Sequence, residues 1–266
     1  MPEKRFRDSR KRIERAIAHG KAVSKQWAEL FDPSAQPKIV RRGPNNFAAT
    51  VKIKREDDND ISLELGEYFY QLRAALDGVA FESMVLETAQ DPPPRENSVE
   101  FPIYEKPDKF RNNPLIQTIP PEAAKWIESI QPYSYASNPD ADLRELGRLL
   151  TLLHNCARKD RHRRLHFIVA GAVALKTAFE CEPGVKISNV KAVPIDFLGD
   201  DADFLTFDTT FTDVTQSGIR LKTALTIEFG LREFPDCIGQ GVMNELERLM
   251  LATKEIVDVF ELAYPL

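Results

Sequence analysis

Gly66-Glu67-Tyr68-Phe69-Tyr70-Gln71-Leu72-Arg73-Ala74-Ala75-Leu76-Asp77 decides the fold class. Leu65, Phe69, Leu72, Leu76 and Val79 recur at steps of three and four, the period of a helix that buries one face. A second segment reads the same way. Leu143, Leu146, Leu150, Leu153 and Ala157 form a stripe over residues 140–160, and the chain continues Arg158-Lys159-Asp160-Arg161-His162-Arg163-Arg164. Both segments set ionisable side chains beside an apolar stripe, so they read as partners in one helical core.

Outward from these two helices the chain is readable in order. Residues 5–31 predict a helix ended by Pro33 and Pro37. Lys38–Arg42 and Phe47–Lys54, separated by Gly43-Pro44-Asn45-Asn46, predict a β-hairpin. The polar run Asp57–Asp60 can cap the long helix over about 58–88, which stops before Asp91-Pro92-Pro93-Pro94. Residues 98–135 read as mostly irregular, with a short helix over 121–130 whose first turn takes Pro121. Strands are expected at 165–174, 185–194, 203–212 and 219–229, and an amphipathic helix at 239–262. Helices, then strands, then a helix predict an α+β fold with an antiparallel sheet drawn mainly from 165–230. The expected organisation is a single domain over 1–266, with a helical core at about 58–164 and 239–262 and a β-rich part at about 165–230.

Bulk properties narrow the function classes. A net charge of −5 argues against a generally basic nucleic-acid coat, although a local basic site depends on how charge is distributed. Residues 1–26 hold nine Lys or Arg against three acids, while residues 194–215 hold six Asp and no base. A solvated helix face and acidic turns account for both. Asp200, Asp201 and Asp203 lack the Gly and distal Glu of a calcium loop. Cys156, Cys181 and Cys237 are dispersed and without CxxC spacing, which speaks against a zinc ribbon and for a reducing compartment. Glu3–Arg15 is charged rather than apolar, and Phe167–Leu175 is far short of the ~20 residues that span a bilayer. The expectation is a cytoplasmic protein with no membrane partner, no metal and no cofactor. Kinase, dinucleotide-enzyme and serine-hydrolase motifs are missing.

The two helices carry the candidate chemistry. Arg73 and Asp77 are four apart and share a face. They read either as an intrahelical ion pair or as a site in which Asp77 accepts a hydrogen bond from the second helix. Thr151, Asn155, Arg158 and His162 fall at steps of four, three and four, which aligns them if the helix continues. Histidine can move protons near neutrality, and arginine offers a fork of donors matched to phosphate oxygens. Together they suit metal-independent cleavage of an RNA backbone. The alternative is a basic helix C-terminus that complements the helix dipole.

Several of these stretches resemble a group of uncharacterised bacterial proteins. That family shares a Gly-Asp-x-x-x-x-Leu-Arg-x-x-Leu-Asp-His helix, a Phe-Pro-Ile element, a Gln-Pro-Tyr element and an Asp-Lys-His-Arg motif. The counterparts are Gly66-Glu67, Leu72-Arg73 and Leu76-Asp77, then Phe101-Pro102-Ile103, Gln131-Pro132-Tyr133 and Asp160-Arg161-His162-Arg163, in the same order over about 60–165. Position 78 is Gly where the family has His. A looser resemblance is to HEPN domains, helical bundles that are often dimeric and include ribonucleases of toxin and defence systems. Their mark is Arg, four to six residues, then His. Arg148 and His154 have five residues between them, and Arg158 and His162 have three.

The resulting expectation is a HEPN-like phosphate- or RNA-directed protein. His162 and Asp77 are the candidate catalytic pair. Arg73, Asn155, Arg158, Asp160, Arg161 and Arg163 are the candidate ligand-binding residues. A homodimer is the expected assembly. Two other readings stand beside it: a non-catalytic ligand- or nucleic-acid-binding module, and an assembly protein held by a buried ion network.

Overall fold

The computed structural model describes residues 5–30, 38–51, 59–162, 168–193, 202–210, 219–231 and 241–264. The fold is α+β. The helices are α1 (Arg7–Leu30), α2 (Asn59–Thr88), α3 (Pro107–Arg111), α4 (Pro121–Ser129), α5 (Ala141–His162) and α6 (Val242–Ala263). The strands are β1 (Lys38–Arg41), β2 (Asn46–Val51), β3 (Ile168–Cys181), β4 (Ile187–Ala192), β5 (Ala202–Thr209) and β6 (Ile219–Leu231). The chain divides into two compact units. One holds Met1–Ala22, Leu63–Leu165 and Leu246–Leu266, and the other Val23–Ser62 and His166–Glu245.

The helical unit follows the apolar periods. Leu65, Phe69, Leu72, Leu76 and Val79 of α2 are all fully buried, as are Phe101, Leu115 and Ile127 from the connecting segments. On α5 the stripe Leu146, Leu150, Leu153 and Ala157 is buried. Leu149, Leu150 and Leu153 of α5 meet Leu249, Ala252 and Ile256 of α6 at a seam that leaves no space for a water. Such a seam is close-packed, so its stability comes from area removed from water and from many small contacts. Asp140 caps α5: its Oδ1 accepts the N–H groups of Asp142 at 2.8 Å and Leu143 at 3.3 Å. Pro121 opens α4, where its missing N–H has no helical partner to lose.

Before α1, Phe6 is fully buried, and its ring meets those of Phe260 at 6.4 Å and Tyr264 at 6.3 Å. Its N–H donates to Glu82 Oε1 at 2.7 Å. Burial pushes the Glu82 carboxyl above its ordinary range, against the pull of that N–H. Arg10 of α1 reaches Asp258 at 2.7 Å and also binds Glu261, so part of the basic N-terminal charge is spent within this unit on α6. Gly78 faces Ser9 of α1. A Cβ there would sit 2.7 Å from Ser9 Oγ and 3.9 Å from Ser9 Cβ, so the Ser9 hydroxyl would have to turn away to admit a side chain.

The β-rich unit contains a four-stranded antiparallel sheet in the order β1-β2-β5-β4 and an antiparallel ribbon of β3 with β6. The N-terminal hairpin is therefore built into the main sheet, because β2 pairs with β5 from Asn46↔Asp208 to Val51↔Ala202. Phe47 and Phe207 are register partners with rings stacked at 5.8 Å, and Phe179 of β3 meets Phe207 at 4.9 Å. This aromatic ladder supplies cross-strand and face-to-face packing together. Asp203 of the acidic stretch lies on β5 and faces Arg42, whose Nε donates to it at 3.1 Å. Asp200 and Asp201 lie outside the described residues.

Candidate functional site

The helical unit gathers several of the sequence-derived candidates around one extended segment, Glu100–Glu105. Arg73 and Asp77 grip its start. Arg73 Nη2 donates to the Phe101 carbonyl at 2.8 Å and lies 2.9 Å from Asp77 Oδ1, while the Phe101 N–H donates to the same Asp77 oxygen at 3.0 Å. A guanidinium and a carboxylate on one helix face thus satisfy both backbone groups of a single residue that has no ladder of its own. Gln131 grips the other end. Its Nε2 donates to the Pro102 carbonyl at 3.0 Å, and its Oε1 accepts the Tyr104 N–H at 3.0 Å. Gln131 is fully buried and also donates to the Ile127 carbonyl at 3.1 Å, which ties the clamp to α4.

Three of the stretches that carry the family resemblance meet here as one network. Asn113, also buried, donates to the Tyr104 hydroxyl at 3.0 Å and accepts the Leu115 N–H at 2.9 Å. The Tyr104 hydroxyl in turn donates to Glu100 Oε1 at 2.8 Å. Burial, partly offset by the Asn113 bond, raises the Tyr104 phenol above its ordinary value. The Glu100 carboxylate is shared, because its other oxygen lies 3.9 Å from Arg73 Nη2.

Beside this clamp, α5 presents His154 and Arg158, four residues apart on one face. His154 is half-buried and Arg158 exposed. Burial, and then repulsion from the Arg73 and Arg158 guanidinium groups, pushes the His154 imidazole down to about 4, against the pull of Glu100 and Glu105. The imidazole is therefore neutral at physiological pH. Arg73 Nη1 is buried with no hydrogen-bond partner among the described residues, so one cationic donor of the clamp is unspent. An unmet buried donor of this kind calls for a partner.

The remaining candidates fall as follows. Asn155 is half-buried on α5, and Thr151 Oγ1 donates back to the Gly147 carbonyl at 2.8 Å. Asp160, Arg161 and His162 are on the backbone of α5, with side chains outside what is described, and Arg163 lies outside the described residues. Arg148 and His154 point to different places: they are about 120° apart around the helix, and Arg148 Nη2 binds Glu145 at 2.7 Å. Arg248 of α6 binds the same Glu145 oxygen at 2.6 Å. Burial would raise the Glu145 carboxyl, but the two arginines outweigh it and hold it below its ordinary value. Sequence reasoning centred on His162 and missed His154 as a neighbour of Arg73. The signal is the four-residue step from His154 to Arg158, which sets His154 one position before Asn155 of the Thr151, Asn155, Arg158 and His162 stripe. No cluster of three or more His, Cys, Asp or Glu suited to a metal occurs among the described residues, and no helix there is long and apolar enough to cross a membrane.

A pH prediction follows from His154. An unfolded chain's imidazole titrates near 6.5, whereas the folded one resists a proton until about 4. Above 6.5 both states are neutral and this contribution to stability is complete. As the pH falls from 6.5 to 4, only the unfolded state gains the proton, and stability is lost. Screening of this partly exposed group limits the loss to on the order of 1–2 kcal/mol. Urea unfolding between pH 4 and 7 should show a shallower acid slope for His154→Gln than for the wild type. Parallel curves would rule His154 out as the source.

Comparison with known proteins adds no identity: no family model, no curated protein and no solved structure matches the chain.

Proposed function

We propose that the protein binds a phosphate-bearing ligand, single-stranded RNA, along the C-terminal half of α5. The carrying observation is the cationic environment at His154: the buried Nη1 of Arg73 has no hydrogen-bond partner among the described residues, and repulsion from Arg73 and Arg158 adds to burial in keeping the imidazole neutral. An anion laid against Arg158 relieves that repulsion, and the positive field of Arg73 at His154 adds to the attraction. The sequence continues the same polarity with Lys159, Arg161, Arg163 and Arg164 against one acid, Asp160. Backbone phosphates are read by such point charges and guanidinium forks. In the HEPN-like form of this reading His162 acts as general acid–base on the 2′-hydroxyl, with Arg158, Arg161 and Arg163 on the phosphate and Asn155 and Asp77 orienting the site.

For Arg73 and Asp77 a specific observation favours the assembly reading. Both bind the backbone of Phe101, so their first role is to hold the Glu100–Glu105 segment against α2. Asp77 is in this view a positioning residue.

The test is anisotropy of labelled mixed single-stranded RNA at several salt concentrations, followed by gel analysis of the same RNA in EDTA. Arg158→Ala should weaken binding several-fold and lower the salt slope by about 0.7, the value for one phosphate contact on a single strand. RNA shortened by the wild type and left intact by His162→Ala assigns cleavage to the same site. No binding by the wild type even at low salt would end the RNA reading.

A further inference from the structure

An open groove of about 730 Å³ runs along the face of the Glu100–Glu105 segment, lined among others by Asn97, Glu100, Tyr104, Asp108 and Asn112. Its volume lies within the ~300–1,000 Å³ of small-molecule sites. Its lining is mixed, with amides, carboxylates and a phenol ring beside Val99 and Pro114. Lys109 lines it with the carboxylates of Glu100 and Asp108, and each carboxylate also has a guanidinium nearby, Arg73 at 3.9 Å and Arg111 at 3.7 Å, so the groove carries no cation surplus that would favour a phosphate. An ionised carboxylate only accepts hydrogen bonds, so the preferred occupant is uncharged and rich in donors.

Two features tie this groove to α5. Glu100 lines it and also stands 3.9 Å from Arg73 and within the electrostatic reach of His154. Tyr104 is fixed at its hydroxyl by Glu100 and Asn113, and its backbone N–H is held by Gln131. A ring pinned at both ends is a stacking platform whose ordering has been completed before a ligand arrives.

We infer that this groove receives one unstacked nucleobase of the RNA whose phosphate lies at His154 and Arg158, with Tyr104 as the stacking surface and Glu100 and the neighbouring amides at the base edge. The inference rests on the phosphate reading for its neighbour and on the groove itself for the base. Single-stranded RNA is recognised in this way, by stacking on aromatic rings and hydrogen bonds to base edges. Guanine presents two adjacent donors to one carboxylate, whereas uracil presents a single N–H, so guanosine is favoured over uridine.

Titrations of the full chain with guanosine, uridine and inorganic phosphate, followed by NMR, test the two sites separately. Guanosine should bind more tightly than uridine. Tyr104→Ala should weaken guanosine about tenfold, while Tyr104→Phe, which keeps the ring, should stay within about threefold. Inorganic phosphate should be indifferent to Tyr104→Ala and weakened by Arg158→Ala. If Tyr104→Ala fails to fold, Asn97→Ala, an exposed change on the groove rim, should still weaken guanosine several-fold. No binding of guanosine to the wild type, or equal binding to a folded Tyr104→Ala, overturns the groove assignment and leaves the phosphate reading standing. Guanosine bound with the expected Tyr104 dependence, but no phosphate bound, supports the groove and removes the α5 phosphate site.

Discussion

Arg73→Ala is expected to destabilise the protein by about 2–3 kcal/mol, the cost of removing a charged donor from a buried carbonyl together with one half of a partly exposed ion pair. The residue is only 6% exposed, and its Nη2 contacts both the Phe101 carbonyl and the Asp77 carboxylate. Truncation takes the Arg73 guanidinium from Asp77 and this donor from the Phe101 carbonyl. Arg73→Lys should recover part of the loss, because one nitrogen, Nη2, makes both contacts and an ammonium carries three donors on a single nitrogen, although on a shorter side chain. The cycle that isolates the pair is Arg73→Met, Asp77→Leu and their combination, followed by urea unfolding. The double variant should lose clearly less than the sum of the singles, since neither charge is then left stranded. Additive losses, or a loss under about 1 kcal/mol for Arg73→Ala, would show that the pair does not hold Phe101.

This clamp also shows how far the sequence was readable. The four-residue step from Arg73 to Asp77 is a local signal, and it announced an ion pair on one helix face. Its partner, Phe101, lies 24 residues beyond Asp77 and carries no periodicity that points back to α2. The same holds across residues 98–135. They read as irregular because side chains of Arg73, Asp77, Asn113 and Gln131, not a backbone ladder, satisfy several of their peptide groups. The short helix α3 went unread for the same reason: five residues are too few to show a period. Long elements were legible where a period runs for several turns, as in α2, α5 and α6. The hairpin was legible from its Gly-Pro-Asn-Asn turn, but its pairing with β5 was not, because Phe47 and Phe207 are far apart in sequence. The strand expected at 165–174 runs on from Ile168 to Cys181, since β6 pairs with it as far as Cys181↔Ile219. At the candidate site, charge and helical phase marked the basic end of α5. Which imidazole stands near Arg73 is a matter of tertiary packing, and that placed His154 there.

Gly147→Ala supplies a prediction whose sign separates local from tertiary effects. In an exposed helix interior this change stabilises by about 1 kcal/mol, because alanine is the better helix former. Gly147 is buried in α5, and a Cβ there would stand 2.3 Å from Tyr135 Cβ, 2.7 Å from Tyr135 Cγ and 3.0 Å from the Ile130 carbonyl oxygen. The first and last of these neighbours cannot swing aside as the tip of a flexible side chain would, so backbone must move. Overpacking of this kind costs about 1–3 kcal/mol and more where backbone is displaced. The expected net result is a loss of about 2 kcal/mol, opposite in sign to the helix propensity. Removing the facing Cβ by Tyr135→Gly should make Gly147→Ala less harmful than it is alone, a coupling that calorimetry of the four variants would measure. The displaced segment is the one that carries Gln131, whose side chain holds Pro102 and Tyr104. The same variant should therefore loosen the Tyr104 platform, and guanosine binding should weaken along with stability. A Gly147→Ala protein as stable as the wild type, or more stable, would mean that α5 and the Ile130–Tyr135 segment are not in the close contact on which this part of the site depends.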